Sequence, residues 1–325
     1  GHTGEWSNYK AFGMTVEPTT GQSHFTGYLN GPPMRTTFAY TDSPVAMLNA
    51  FAVLTALEHR FQTGIGQWID VAMYEAGVFM LAEAMMDYGM NGRSGARMGN
   101  RDPLLAPQGA YRCAGRDSWV VLTIENNSQW NSLCAVIGKP ELAKEPCFSD
   151  VQGRVKYHNE LDTIIESWTR DKDQYDVMCL LQDAGIPAGP VLTNKGLLTD
   201  PHLVQRGFLE WVHHPPEQEW MGQRVYPGMS WKVSNVPSKV RWPAPSLGQH
   251  NYQLLSELLG FSSARIEELE ALGVIGDKPR YEVKPRTLGT EELRAAGSIW
   301  PPDVDYQDIL QRAHQREPED SRSKE

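Results

Sequence analysis

The carboxylate best placed to do chemistry is Asp42, which stands immediately before Ser43-Pro44. That pair reads as a Ser N-cap and a Pro at the first helical position, opening an apolar helix over residues 44–60. A helix start offers free amide N–H groups and the positive end of the peptide dipoles, which favour the ionised form of a carboxylate. An ionised, positioned carboxylate is what attack on an acyl group requires. The same placement also suits an acid that merely helps to cap the helix, and spacing by itself favours that plainer role. Other chemistry-bearing residues are weaker candidates. His213-His214 is the nearest approach to a metal pair, but adjacent strand residues point to opposite faces, which suits a surface pair. Asp70 lies between Ile69 and Val71 in a strand-like run, where alternation leaves it half-exposed. Phosphate-loop, dinucleotide, His-Glu-x-x-His and Gly-x-Ser-x-Gly signatures are all absent, so no metal site is expected.

The elements that must position Asp42 form an α/β rhythm. After the helix over 44–60 comes the turn Thr63-Gly64-Ile65-Gly66, a strand over 67–73, and a second apolar helix over 74–88 ending at Gly89. Both helices are apolar enough to be mostly buried. A Gly-, Arg- and Asn-rich stretch, 91–107, marks a boundary. Beyond it a strand pair over 109–113 and 119–124 and helices over 128–137, 154–168 and 174–184 indicate a small α+β domain. Asp200-Pro201 caps a short helix ending at Gly207, and 211–243 is strand-and-turn sequence. Residues 252–272 hold two helices broken at Gly260-Phe261 and restarted by Ser262 or Ser263. The domain limits expected are 1–100, 101–215, 216–276 and a charged tail, 277–325, with little core.

The chain has 325 residues, 40% of them apolar, and a formal charge of -10, enough apolar material for a core and no general basic face. Nucleic acid and anionic membranes are therefore poor partners. Cys113, Cys134, Cys147 and Cys179 are too widely spaced for a metal clip or a dense disulfide framework. With no run of about 18 apolar residues and no signal-like start, a cytoplasmic protein with reduced thiols is expected.

Several motifs occur together. They are Gly31-Pro32-Pro33-Met34-Arg35, Tyr40-Thr41-Asp42, Leu54-Thr55-Ala56-Leu57-Glu58-His59-Arg60, Thr63-Gly64-Ile65-Gly66-Gln67 and Asp70-Val71-Ala72-Met73. In combination they resemble the class III CoA-transferase family, also called the CaiB/BaiF family. The likeness continues through Pro107-Gln108-Gly109-Ala110-Tyr111-Arg112, Gly185-Ile186-Pro187-Ala188-Gly189-Pro190-Val191 and Leu247-Gly248-Gln249-His250, covering residues 1–275. The resemblance implies an acyl-CoA:carboxylate CoA-transferase in which Asp42 is the covalent nucleophile. Its substrates would be a coenzyme A thioester and a free carboxylic acid, with no tightly bound cofactor. Lys10 stands as far before Asp42 as a CoA-contacting lysine does in the family's formyl-CoA transferases, so it is a candidate for a CoA phosphate; an exposed loop lysine is the equal alternative. The implied fold is an α/β Rossmann-like large domain with a smaller α+β domain, in an interlocked homodimer. Nothing in the sequence matches the family's first, Rossmann-like half, and the chain opens on Gly, so an N-terminally truncated chain is expected.

Two departures narrow the implied chemistry. The family's α-methylacyl-CoA racemases use a histidine and an acidic residue where this sequence has Phe12 and Arg112. The formyl-CoA transferases carry a glycine-rich loop where it reads Asp102-Pro103-Leu104-Leu105-Ala106-Pro107, which points away from oxalate as acceptor. A non-catalytic subunit or remnant of the same fold is the alternative function, with a racemase ranked below it. Because the racemase acid-base pair is replaced, a 2-methylacyl-CoA incubated with the full-length protein in deuterated water should gain no α-deuterium by NMR. Exchange at an enzymatic rate would make the protein an isomerase.

Overall fold

The computed structural model describes residues 1–36, 38–237, 239–279, 281 and 289–315. They fall into two units, Gly1–Val191 and Leu192–Glu325. The first unit begins with α1 (Gly13–Thr19), α2 (Gln22–Phe25), α3 (Asp42–Thr63), α4 (Met73–Phe79) and α5 (Ala82–Asn91). Ala, Leu, Met and Glu sustain α3 for 22 residues. It stops at Gly64, whose φ of 74° is the left-handed conformation glycine adopts without a Cβ penalty. The buried positions here are small or polar: Gly13, Ala72, Ala76 and Gly77, with Glu17, Thr20, Ser23 and Thr41. Small residues let the helices close on one another. A Cβ added at Gly77 on α4 would lie 2.5 Å from Cγ2 of Thr20 and 3.0 Å from Cγ2 of Thr41.

Several sequence expectations are corrected in this part. The helix expected to begin at Pro44 begins at Asp42, with Thr41 and not Ser43 as its N-cap. It has no buried residue; Met47 is 72% exposed and Phe61 87%. Apolar content reports what a helix would gain from burial, whereas burial itself requires a partner surface. Residues 67–72 form no strand, because a strand without a neighbour has no ladder to join. The second apolar helix is broken into α4 and α5 at Met80-Leu81 and runs past Gly89 to its C-cap, Gly92.

The rest of the first unit comprises β1 (Gln108–Arg112), β2 (Trp119–Thr123), α6 (Asn127–Val136), α7 (Val151–Lys156), α8 (His158–Thr169), α9 (Gln174–Asp183) and β3 (Ala188–Pro190). Central β2 pairs antiparallel with both neighbours, Tyr111 facing Val120 and Val120 facing Pro190. The expected strand pair and helices are present, although the helix expected over 154–168 divides at Tyr157 and β3 is too short to have shown an alternation. Here the core is made of large apolar side chains, including Leu122, Trp130, Leu133, Ile165 and Leu181. All four cysteines are free, and burial pushes the Cys134 thiol up to about 12.

The second unit holds α10 (Asn194–Thr199), α11 (Pro201–Gln205), β4 (Leu209–His213), β5 (Gln223–Pro227), a π-helical turn (Gln253–Leu258), α12 (Ser263–Ala271), α13 (Thr290–Ala295) and α14 (Tyr306–Gln315). The expected caps are formed: the Asp200 carboxylate accepts from the Leu203 N–H at 2.9 Å and the Ser262 hydroxyl from the Arg265 N–H at 3.3 Å. Part of the tail from 277 lies outside the described residues. None of its described residues is buried, yet α14 is held, with His314 Nε2 3.0 Å from the Leu198 carbonyl and its ring against Trp211. Among the described residues, no helix is long and apolar enough to cross a membrane.

A polar cluster ties the loop before β1 to α8. Arg101 donates to Asp162 at 2.6 Å, the Tyr111 hydroxyl donates to the same carboxylate at 2.9 Å, and the Gln108 N–H donates to Nε2 of buried His158 at 3.1 Å. Burial holds the His158 pKa below its ordinary value of about 6.5, against the pull of Asp162. Protonated His158 could not accept from Gln108. Because the folded-state pKa is depressed, the unfolded chain binds the extra proton first as pH falls. Stability should therefore be complete above about 6.5 and decline below it. Denaturant titrations at pH 7.5 and 5.5 should show that decline, and it should shrink in His158→Gln.

Candidate active site

Asp42 is the first residue of α3, and its N–H donates to the Ala39 carbonyl at 3.1 Å. This turn delivers the half-buried carboxylate to the start of α3, where the helix leaves amide groups unpaired. Opposite it lies Gly13, the first residue of α1. A Cβ built on Gly13 would overlap Oδ2 of Asp42 and stand 2.7 Å from both Oδ1 and the Ala39 Cβ. Only a residue without a side chain leaves room for the carboxylate there. Thr41 beside it is 1% exposed; its methyl faces Gly77, and its hydroxyl is buried with no hydrogen-bond partner among the described residues.

One turn beyond Gly13, Glu17 is wholly buried. Its carboxylate accepts from the Thr36 N–H at 2.7 Å and from the Thr36 hydroxyl at 2.8 Å. Two acids therefore meet at one short helix, Glu17 within it and Asp42 against its first residue, and sequence motifs single out only the second. Gly13, Glu17 and Thr41 carry little local signal. The i, i+4 pair Gly13 and Glu17 shares a face of a seven-residue helix that contains Pro18, too short and irregular for periodicity to reveal.

The other sequence candidates are scattered. Lys10 is exposed in the segment leading into α1. Phe12, at the racemase histidine position, is the N-cap of α1 and 83% exposed. Arg112 lies at the end of β1 with its guanidinium 5.5 Å from the Trp119 ring centroid. Asp70 is exposed and accepts from the His2 N–H at 3.0 Å. His214 contacts the Gly222 carbonyl at 2.8 Å and the Tyr226 hydroxyl at 3.1 Å, while His213 is exposed. No group of three His, Cys, Asp or Glu suited to a metal ion occurs among the described residues.

Gly13→Ala tests this arrangement. The added methyl must displace Asp42 or α1, and a displacement of about 1 Å costs on the order of 100-fold in turnover, with overpacking costing about 1–3 kcal/mol of stability. Steady-state kinetics against thermal unfolding should show activity falling far more than the folded fraction at the assay temperature.

The sequence profile of CoA-transferase family III matches residues 1–251. The chain is 34% identical over 276 residues to the succinyl-CoA–D-citramalate CoA-transferase of Chloroflexus aurantiacus, covering 85% of this chain and 67% of that one. It is 30% identical over 258 residues to the succinyl-CoA:mesaconate CoA-transferase of Haloarcula hispanica, covering 79% and 63%. A crystal structure of a CAIB/BAIF family protein from Brucella suis superposes with a TM-score of 0.70 at 27% identity, over 79% of this chain and 65% of that one. The chain thus spans about two thirds of the length of these relatives. Asp42 and the helices around it fall inside the matched span, and with its first 251 residues matched this chain belongs to CoA-transferase family III.

Proposed function

We propose that this protein moves coenzyme A from an acyl-CoA to a free carboxylic acid, with Asp42 as the covalent nucleophile. The observation that carries the reading is the Asp42 carboxylate at the start of α3, facing a residue with no side chain. A carboxylate oxygen attacks the thioester carbonyl carbon, the C–S bond breaks, and CoA leaves as a thiolate, giving a mixed anhydride on Asp42. The thiolate then attacks the Asp42 carbonyl carbon and expels the donor acid, leaving an aspartyl-CoA thioester. The acceptor carboxylate attacks that thioester to form a second anhydride, and the thiolate takes the acceptor acyl group as it releases Asp42. Each step conserves the activated acyl bond, so the cycle runs without a tightly bound cofactor.

Lys10 contacts a CoA phosphate in this reading, supported by its place in the segment ahead of Gly13. The two enzymes named above carry succinyl-CoA in their names, which supports a short dicarboxylic donor and acceptor. Residues 1–100 belong to a Rossmann-like large domain, 101–215 to the small domain, and 216–276 return to the large one, with 277–325 as a tail. Two copies form an interlocked homodimer in the cytoplasm. An additional large-domain surface over α3 accounts for its exposed Met47, Phe51 and Phe61.

Asp42→Ala and Asp42→Asn in the full-length protein should reduce transfer from succinyl-CoA to a panel of dicarboxylic acids to the uncatalysed background. Hydroxylamine trapping after addition of acyl-CoA should label wild type at Asp42 and neither variant. Substantial turnover by Asp42→Ala would sink the mechanism.

A further inference from the structure

We infer that Glu17 is a positioning residue for the Asp42 carboxylate. The inference rests on the nucleophile reading of Asp42 and concerns how that group is held. Glu17 is 0% exposed and spends both carboxylate oxygens on one residue, with the Thr36 N–H 2.7 Å from Oε1 and the Thr36 hydroxyl 2.8 Å from Oε2. No Lys, Arg or His forms an ion pair with it among the described residues. Burying a carboxylate without a cation is costly, and the hydrogen bonds to Thr36 are what offsets the cost.

Thr36 lies in the segment that leads into α3. Its one hydroxyl proton is shared between the Glu17 carboxylate and the Phe38 carbonyl, which lies 2.7 Å from the hydroxyl oxygen, and the next turn runs from the Asp42 N–H to the Ala39 carbonyl at 3.1 Å. A displacement at Thr36 is therefore passed toward Asp42 through consecutive turns. At the other end of the same helical face, Gly13 closes on the Asp42 carboxylate. Thus α1 grips the incoming segment at Glu17 and meets its outgoing end at Gly13. Loosening the grip lets the carboxylate drift from its seat without removing any group that binds CoA.

The test uses full-length protein carrying Glu17→Ala, Glu17→Gln, Thr36→Val or Asp42→Ala. Measurements are kcat and KM for succinyl-CoA, the thermal midpoint, and hydroxylamine trapping to count competent sites. Glu17→Ala should lower kcat per competent site by about 10- to 100-fold with KM little changed. Glu17→Gln should recover most of kcat, since its amide oxygen still accepts from the Thr36 N–H and its NH2 can donate to the Thr36 hydroxyl. Thr36→Val, which keeps the N–H and a similar volume, should lower kcat in the same sense. It decides the matter with Glu17→Gln if Glu17→Ala does not fold. Wild-type kcat per competent site in Thr36→Val and Glu17→Ala, or equal impairment in Glu17→Gln and Glu17→Ala, overturns the positioning role while Asp42→Ala remains dead. Turnover by Asp42→Ala overturns the nucleophile and this inference with it.

Discussion

The candidate site depends on a close approach between the first turn of α1 and the first turn of α3. A carboxylate can be seated there because Gly13 contributes no side chain at the point of contact. The same steric economy recurs at Gly77, where α4 closes on Thr20 and Thr41. These contacts bury little apolar area, so their worth lies in geometry more than in the hydrophobic term. Helices brought together through glycine, alanine and threonine have backbones near one another and few rotamers to absorb error. A small change at any of these positions therefore reaches Asp42.

The two parts of the first unit are held by different physics. The α+β part encloses Leu122, Trp130, Leu133, Ile165 and Leu181 behind a three-stranded sheet. Each large apolar side chain removed from water contributes roughly 1.5–3 kcal/mol to holding that part together. Around α1, α3 and α4 the relation is inverted, with small and polar residues inside and Met47, Phe51 and Phe61 outside. A helix so apolar and so uncovered has the character of an interface. The candidate site thus lies where the described residues supply the least core.

Glu17 and Asp42 illustrate the two roles available to an acid at a helix. Asp42 stands at a helix start, half-buried and still open to solvent. Glu17 stands inside a helix, fully buried, with its oxygens committed to Thr36. A half-buried acid stays accessible to a reacting group, whereas an enclosed one whose oxygens are committed to hydrogen bonds is suited to holding a neighbouring segment in place.

The amino-acid sequence by itself determined what depends on neighbours in the chain. The caps at Asp200 and Ser262, the strand pair of the α+β part and its helices follow from local chemistry and period. The motifs around Asp42 identify the family and single out Asp42, whose place beside a helix start would by itself have suited a capping acid. Local reasoning erred where the outcome turned on partners. It buried α3, paired residues 67–73 into a strand and ran α4 and α5 together, because apolar content states a preference and cannot say which surface or strand will satisfy it. Only the tertiary structure decided that Gly13 faces the Asp42 carboxylate and that Glu17 holds Thr36. Both contacts join residues far apart in the chain through a short helix, and neither steric fit nor a buried hydrogen bond leaves a periodic trace in sequence.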